Sequence, residues 1–226
     1  MAKVDQEYQK LSKMILEEGR EYENKNRGVT RLQIPSYTFR HSFEDGFPAI
    51  TNKKLYWKGI VGELIWFLRG DNDVTYLNEN KIDIWNKDAW NWYKKTIGEI
   101  SFEDFNAIGK GSVGQNYSVQ WRNFNGNTDQ IRNLIDEMRE DIMSSRLKVN
   151  AWNPSETNQT ALPPCHSEFQ VIGVPLTLDE RILWYYKNGK ITEDIDLTQD
   201  SLTSIGVPEF GFERHWNQRS VDTFLG

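Results

Sequence analysis

The sequence predicts a mixed α/β fold of the α+β kind, a sheet flanked by helices, and three observations carry that prediction. Apolar residues recur at helical spacing at Val4, Tyr8, Leu11 and Ile15, again through residues 57–69, and again at Ile131, Leu134, Ile135, Met138 and Ile142. Short alternating runs read as strands at Leu147, Val149 and Ala151 and through Phe169 and Val171. Nine Trp, eleven Phe and nine Tyr in 226 residues supply enough bulky apolar material for one sizeable core. A single domain over residues 1–226 is therefore expected.

Taken in order, residues 3–22 read as an amphipathic helix with its charges away from the apolar stripe. Residues 24–31 are polar, contain Gly28 and read as a loop, and residues 32–39 tend towards strand. The apolar helix over 57–69 is closed by Gly70, the residue that best tolerates a left-handed cap. Its Glu63 lies among Ile60, Val61, Leu64, Trp66 and Phe67, too apolar a setting for a casual acid. Residues 109–114 satisfy the G-x-G-x-x-G pattern. Dinucleotide binding by that pattern needs a buried strand before it and a helix after it in one βαβ unit. Neither is evident, so the stretch reads as a flexible loop leading into Tyr117. The helix over 131–142 starts near Thr128 or Asp129 as its cap.

Residues 171–215 form a long connection with a strand-like run at Ile182, Leu183, Trp184, Tyr185 and Tyr186 and an Asn188-Gly189 turn signal. They also hold an imperfect echo, Ile172-Gly173-Val174-Pro175 and Ile205-Gly206-Val207-Pro208, too few copies for a repeat architecture. The segment reads as an inserted extra hairpin at one edge of the domain.

The net charge of −6 argues against general nucleic-acid binding, DNA included, which calls for a basic surface. No apolar run approaches the roughly 20 residues that span a membrane. The single cysteine and the absence of a signal peptide point to a reducing, cytoplasmic setting. No His or Cys cluster has metal-ligand spacing, so no metal is expected.

That single cysteine, Cys165, stands in Ala161-Leu162-Pro163-Pro164-Cys165-His166. A lone cysteine is either a small buried hydrophobe or a reactive thiol. Two prolines restrict the backbone before it and a histidine follows, which suits a thiol presented in one geometry. A thiolate at neutral pH needs nearby positive charge or donors, and Arg219 is a candidate.

The A-L-P-P-C-H stretch, followed far downstream by Asn217-Gln218-Arg219-Ser220-Val221-Asp222-Thr223-Phe224-Leu225-Gly226, resembles the nucleophile and phosphate-binding segments of thymidylate synthases. Gly46-Phe47-Pro48, Glu63-Leu64-Ile65-Trp66-Phe67-Leu68, Gln120-Trp121-Arg122 and Ala151-Trp152-Asn153-Pro154 match the same family in the right order. The resemblance covers most of residues 1–170 and again 216–226. It implies reductive methylation of dUMP to dTMP, with methylenetetrahydrofolate giving both the carbon and the hydride.

Carbon 5 of uracil is a poor nucleophile until a thiolate adds to carbon 6, and the resemblance makes Cys165 that thiolate. Arg219 would lie near the sulfur and the phosphate. Glu63 matches the family's general acid/base, and a carboxyl in an apolar helix has the raised proton affinity that suits the task. Tyr117 matches the tyrosine that helps remove the proton from carbon 5, and His166 the histidine beside the nucleophile. Arg219 and Ser220 match the phosphate contacts, with Gln218 beside them, and Asp222 is implied for both substrate and folate. Ile84, Trp85 and Leu162 match apolar folate contacts. The resemblance also implies a homodimer in which one subunit's arginine enters the other's site.

Two places depart from the family pattern. The family's paired arginines before the A-W-N strand are Ser145-Arg146 here, so only Arg146 carries over. The N-terminal R-T-G-x-G loop is Asn26-Arg27-Gly28-Val29-Thr30-Arg31, one residue short, with Arg27 the first choice for the phosphate and Arg31 a substitute. Family members continue past F-L-G through L-P-F-N, a long buried helix and an H-x-Y motif, so a truncated or interrupted chain is expected, poorly folded and inactive alone. A related pyrimidine nucleotide hydroxymethylase is the alternative enzyme. A remnant that pairs with an intact subunit is the non-enzymatic alternative.

Overall fold

The computed structural model describes residues 2–24, 29–188 and 197–218, and the chain divides into two compact units after Trp57. The first opens with α1, Lys3–Glu18, which buries Val4, Leu11 and Ile15 along one stripe. Asp5 is buried beside them because it accepts both the backbone N–H of Thr51 at 2.7 Å and its hydroxyl at 2.5 Å. The N–H of Gly19 closes α1 on the Ile15 carbonyl at 2.9 Å, and β1, Arg20–Asn24, follows directly. The predicted helix over 3–22 is therefore too long, since the apolar stripe runs out after Ile15 and glycine takes the next position on it.

The β1 strand pairs antiparallel with β2, Val29–Gln33, from Arg20 opposite Gln33 to Asn24 opposite Val29. The loop predicted over 24–31 is thus strand at both of its ends. Gly28 lies outside the described residues. The strand predicted over 32–39 keeps only Leu32 and Gln33. Pro35 has no N–H to give a ladder and ends it.

The second unit is mostly helical. Its first helix, α2, spans Trp57–Leu68 and buries Gly59, Gly62, Trp66 and Phe67. Ile60, Val61, Leu64, Ile65 and Leu68 face the other way and are exposed, so α2 is apolar on both faces apart from Lys58 and Glu63. Gly70 follows at φ +74°, as its place after the helix predicts. Then come α3 (Thr75–Glu79), α4 (Asn86–Thr96), α5 (Phe102–Ile108), α6 (Tyr117–Arg122) and α7 (Gln130–Glu140). The N-cap of α7 is Asp129, one of the two caps predicted, and its side chain accepts the Arg132 N–H at 2.9 Å.

A three-stranded antiparallel sheet completes the unit, in the order β3 (Lys148–Asn150), β4 (His166–Pro175), β5 (Phe210–Gln218). The α+β class predicted from the sequence holds, and every strand pair among the described residues is antiparallel. The core joins α2 to the sheet through Trp66, Phe67, Trp85, Phe105, Tyr117, Trp121, Val149 and Ala151, with Phe169 of β4 packed against it. Rings meet edge to face or tilted, Phe67 against Tyr117 with centroids 4.8 Å apart and against Trp121 at 5.6 Å.

Residues 171–215 hold the second half of β4, then α8 (Leu178–Asn188), α9 (Gln199–Ser204) and most of β5. The strand predicted at Ile182–Tyr186 is in fact part of α8. A short apolar run fits strand or helix alike, and what decides is the i, i+4, i+7 set Leu178, Ile182 and Tyr185. These pack with Leu197, Leu202 and Val207 into a small core of their own. Gly189 of the predicted turn lies outside the described residues. Arg181 is buried beneath α9, where it donates to the carbonyls of Pro208 and Val207 at 3.1 Å each, to Thr203 Oγ1 at 2.8 Å and to the carbonyl and side chain of Gln199. Neutral acceptors alone thus hold this buried guanidinium among the described residues.

Candidate active site

The loop that read as flexible is a threaded, hydrogen-bonded connector. Val113 N–H donates to the Asn72 carbonyl at 2.9 Å, and the Val113 carbonyl accepts the Ala161 N–H at 2.9 Å. Gln115 N–H donates to the Gln159 carbonyl at 2.8 Å. Gly114 sits at φ +74°, and a Cβ there would stand 2.2 Å from the Gln159 carbonyl oxygen. Only glycine lets the two backbones approach so closely. The three glycines of the G-x-G-x-x-G match thus have separate structural jobs, Gly109 capping α5, Gly111 leaving room for the Phe105 ring and Gly114 for the backbone of Gln159, and the threading fixes where α6 begins.

The first residue of α6 is Tyr117, buried at 6% exposure. Its phenol oxygen accepts the backbone N–H of Cys165 at 2.7 Å and that of His166 at 3.2 Å. One side chain from α6 thereby clamps the backbone on both sides of the cysteine's carbonyl, 48 residues downstream. Pro164 cannot donate, so the amides of Cys165 and His166 are the first N–H groups that this stretch can offer. Cys165 is a free thiol, half-buried. A register shift in β4 between His166 and Glu168 follows at once, and Ser167 there accepts the N–H groups of Ala151 and Trp152 at 2.8 and 3.2 Å. Such a bulge re-aims the side chains beside it.

Burial dominates the electrostatics. The Tyr117 hydroxyl is pushed up to about 12, mainly by burial and against the two amides that donate to it, with the nearby Cys165 and Glu63 adding to the rise. Burial also lowers the proton affinity of His166, so its imidazole is neutral near pH 7. Glu63, on the half of α2 that turns inward, has its carboxyl raised by burial, partly opposed by one donor, the indole N–H of Trp85, at 2.6 Å from Oε1. The Glu63 carboxyl and the Cys165 thiol both lie within electrostatic reach of the Tyr117 phenol.

Of the other predicted site residues, Ile84 is exposed at 44% and Leu162 packs against the main core. Trp85 is buried at 6% with its polar edge turned to Glu63. That second job had no signal in the sequence, since the contact joins positions 22 apart, one on α2 and one at the cap before α4. Gln218 stands opposite His166 in the β4–β5 ladder. Arg27, Arg219, Ser220 and Asp222 lie outside the described residues. Arg146 follows α7 and is held by Glu137, whose Oε1 accepts its Nε at 3.0 Å and Nη2 at 2.6 Å. Arg31 stacks over the Tyr22 ring at 4.9 Å in the β1–β2 hairpin.

Two features were not legible beforehand. Asn153, of the A-W-N-P motif, donates to Gln120, Asn125 and Glu156 at 3.3, 2.9 and 3.1 Å, and Gln120 donates to Glu156 at 2.7 Å. The Q-W-R and A-W-N-P motifs of these residues are thus joined in one hydrogen-bonded network. A polar cavity of about 460 Å³ adjoins it, lined by Asn72, Gln115, Asn123, Asn125 and Glu156 among others. None of the predicted site residues that the structure describes lines that cavity. Among the described residues, no group of three or more His, Cys, Asp or Glu could hold a metal ion, and no helix is long and apolar enough to cross a membrane.

The family model described as thymidylate synthase matches residues 6–226. The chain is similar to a thymidylate synthase of Mycoplasma pneumoniae, 36% identical over 176 residues that make up 73% of this chain and 61% of that protein. A thymidylate synthase of Malacoplasma penetrans is 39% identical over 175 residues, 73% of this chain and 60% of that protein. One of Mycoplasma mobile is 34% identical over 232 residues, 98% of this chain and 68% of that protein. The chain spans about three fifths of the length of most of these relatives. With the family model covering nearly all of it and the quoted motifs in order, this chain belongs to the thymidylate synthase family.

Proposed function

We propose that this chain takes part in the reductive methylation of dUMP to dTMP, with Cys165 as the nucleophile. The observation that carries the proposal is the Tyr117 oxygen gripping the amides of Cys165 and His166. It fixes the thiol's backbone next to a phenol, and that phenol lies within the electrostatic reach of Glu63.

In this reading the Cys165 sulfur adds to carbon 6 of the pyrimidine, and the electron pair of the 5,6 double bond makes carbon 5 nucleophilic. Glu63, its proton affinity raised by burial and trimmed by Trp85, exchanges a proton with the ring through water. Tyr117 already accepts two N–H bonds, so its own O–H is the group free to donate, and it orients water for removal of the proton on carbon 5. Neutral His166 stands behind it, its ring 5.8 Å from that of Tyr117. Methylenetetrahydrofolate would supply the one-carbon unit and the hydride. The apolar surface of Ile84, exposed next to the Trp85–Glu63 pair, and that of Leu162, two residues before Pro164, fit a flat aromatic group. Asp222 would complete that contact.

The substrate phosphate falls to Arg219 and Ser220, with Gln218 beside them, to Arg27, and to Arg146 of a second copy in a homodimer. A cytoplasmic setting fits a thiol that must stay reduced. Release of tritium from carbon 5 of labelled dUMP, dependent on methylenetetrahydrofolate and lost in Cys165→Ser, is the expected result. Release from dCMP in place of dUMP would move the reading to a pyrimidine hydroxymethylase. No release from either nucleotide, in a chain that unfolds cooperatively, would refute it.

A further inference from the structure

We propose that Glu137 sets the anion affinity of Arg146 by occupying one edge of its guanidinium. This rests on the reading that Arg146 meets the nucleotide phosphate, in its own subunit's site or a partner's. The two residues are joined on one edge only. Glu137 Oε1 accepts Nε at 3.0 Å and Nη2 at 2.6 Å, and also accepts the Ser144 hydroxyl at 2.5 Å. Ser144 is itself buried and takes the Arg146 N–H at 3.2 Å. The carboxylate is therefore the fixed partner, its side chain 22% exposed against 78% for the arginine. The Nη1 side of the guanidinium has no hydrogen bond among the described residues and faces water.

An arriving phosphate meets a guanidinium that is well aimed but electrically cancelled. Aiming helps, because a held arginine loses little rotamer freedom on binding. Cancellation hurts, because the carboxylate repels the same anion that the guanidinium attracts, and a phosphate monoester near neutrality carries almost two charges. For a dianion the repulsion is the larger effect. A single arginine damped by Glu137 therefore gives a weak grip on phosphate and makes release easy.

Glu137→Gln separates the two effects, since the amide oxygen keeps the aim and drops the charge. Titration calorimetry of dUMP onto the intact chain should show binding about fivefold tighter in Glu137→Gln, from one like charge removed at roughly 6 Å in a watery setting. Affinity for deoxyuridine, which has no phosphate, should stay the same, and added salt should weaken dUMP binding more steeply in the variant. Arg146→Ala should weaken dUMP binding and abolish the effect of Glu137→Gln in the double variant. If Arg146→Ala binds dUMP as the parent does, or the parent binds none, the phosphate reading itself falls and this inference with it. If Arg146→Ala weakens binding but Glu137→Gln does not tighten it, the inference alone falls. Should Glu137→Gln lose its native circular dichroism, Glu137→Ser is read in the same titration against the same two outcomes.

Discussion

Because burial raises the proton affinity of Glu63, the folded protein holds that proton more tightly than the unfolded chain does. Folding is therefore favoured below the ordinary carboxyl value of 4.5 and loses stability as pH rises from there through the raised value. Glu63→Gln removes this cost and keeps an acceptor for the Trp85 indole. Its melting temperature should exceed the parent's at pH 8, and the gap should close as the pH is taken down to 4. A gap that stays constant with pH would mean that Glu63 is not ionised at the expense of the fold. Tyr117→Phe keeps the ring against Phe67 and strips the acceptor from two amides. We expect roughly 1–3 kcal/mol of lost stability in denaturant unfolding, together with a changed rate of Cys165 alkylation as its backbone loosens. At this scale the sequence pointed to unusual residues, a lone cysteine after two prolines and an acid among aliphatics, but not to their partners. The Trp85–Glu63 bond and the Arg146–Glu137 pair join different elements, and no local pattern marks them.

The α7 helix shows how one side chain can serve two elements. Asp129 caps it through the Arg132 N–H and also receives Nε of Arg122, at the end of α6, at 3.0 Å and Nη2 at 2.8 Å. Asp129→Ala removes both, and an N-cap alone is worth about 1 kcal/mol. The loss expected in urea unfolding is therefore about 1–2 kcal/mol, whereas Asp129→Ser should recover the cap but not the ion pair. Elements whose apolar period matched their length were legible, as α2, α7, β3 and β4 show. The misreadings came from positions where a short run fits two periods or where one residue vetoes continuation. The continuous apolar run Ile182–Tyr186 fits strand and helix alike, and only its packing with Leu178 and Leu202 decides. Pro35 ends a strand that composition alone would have extended.

Across the whole molecule, the described residues of the second unit form two cores of unequal size, the large aromatic one beneath α2 and the small one around Tyr185, Leu202 and Val207. Leu202 is fully buried in the latter, so Leu202→Ala should cost about 2–5 kcal/mol there. Hydrogen exchange should show the amides of α8 and α9 losing protection first, with those of α4 and α5 little changed. Uniform loss throughout would instead make the two cores one cooperative body. The α+β class was legible because it needs only element types and bulk apolar content, while the division into two cores depends on which helices meet. The α2 helix has a practical consequence. Ile60, Val61, Leu64, Ile65 and Leu68 form a rod of aliphatic side chains turned to water, and such a rod adheres to plastic, micelles and other half-folded chains. That greasy strip will lower yield from an expression host and the reproducibility of an assay unless something covers it.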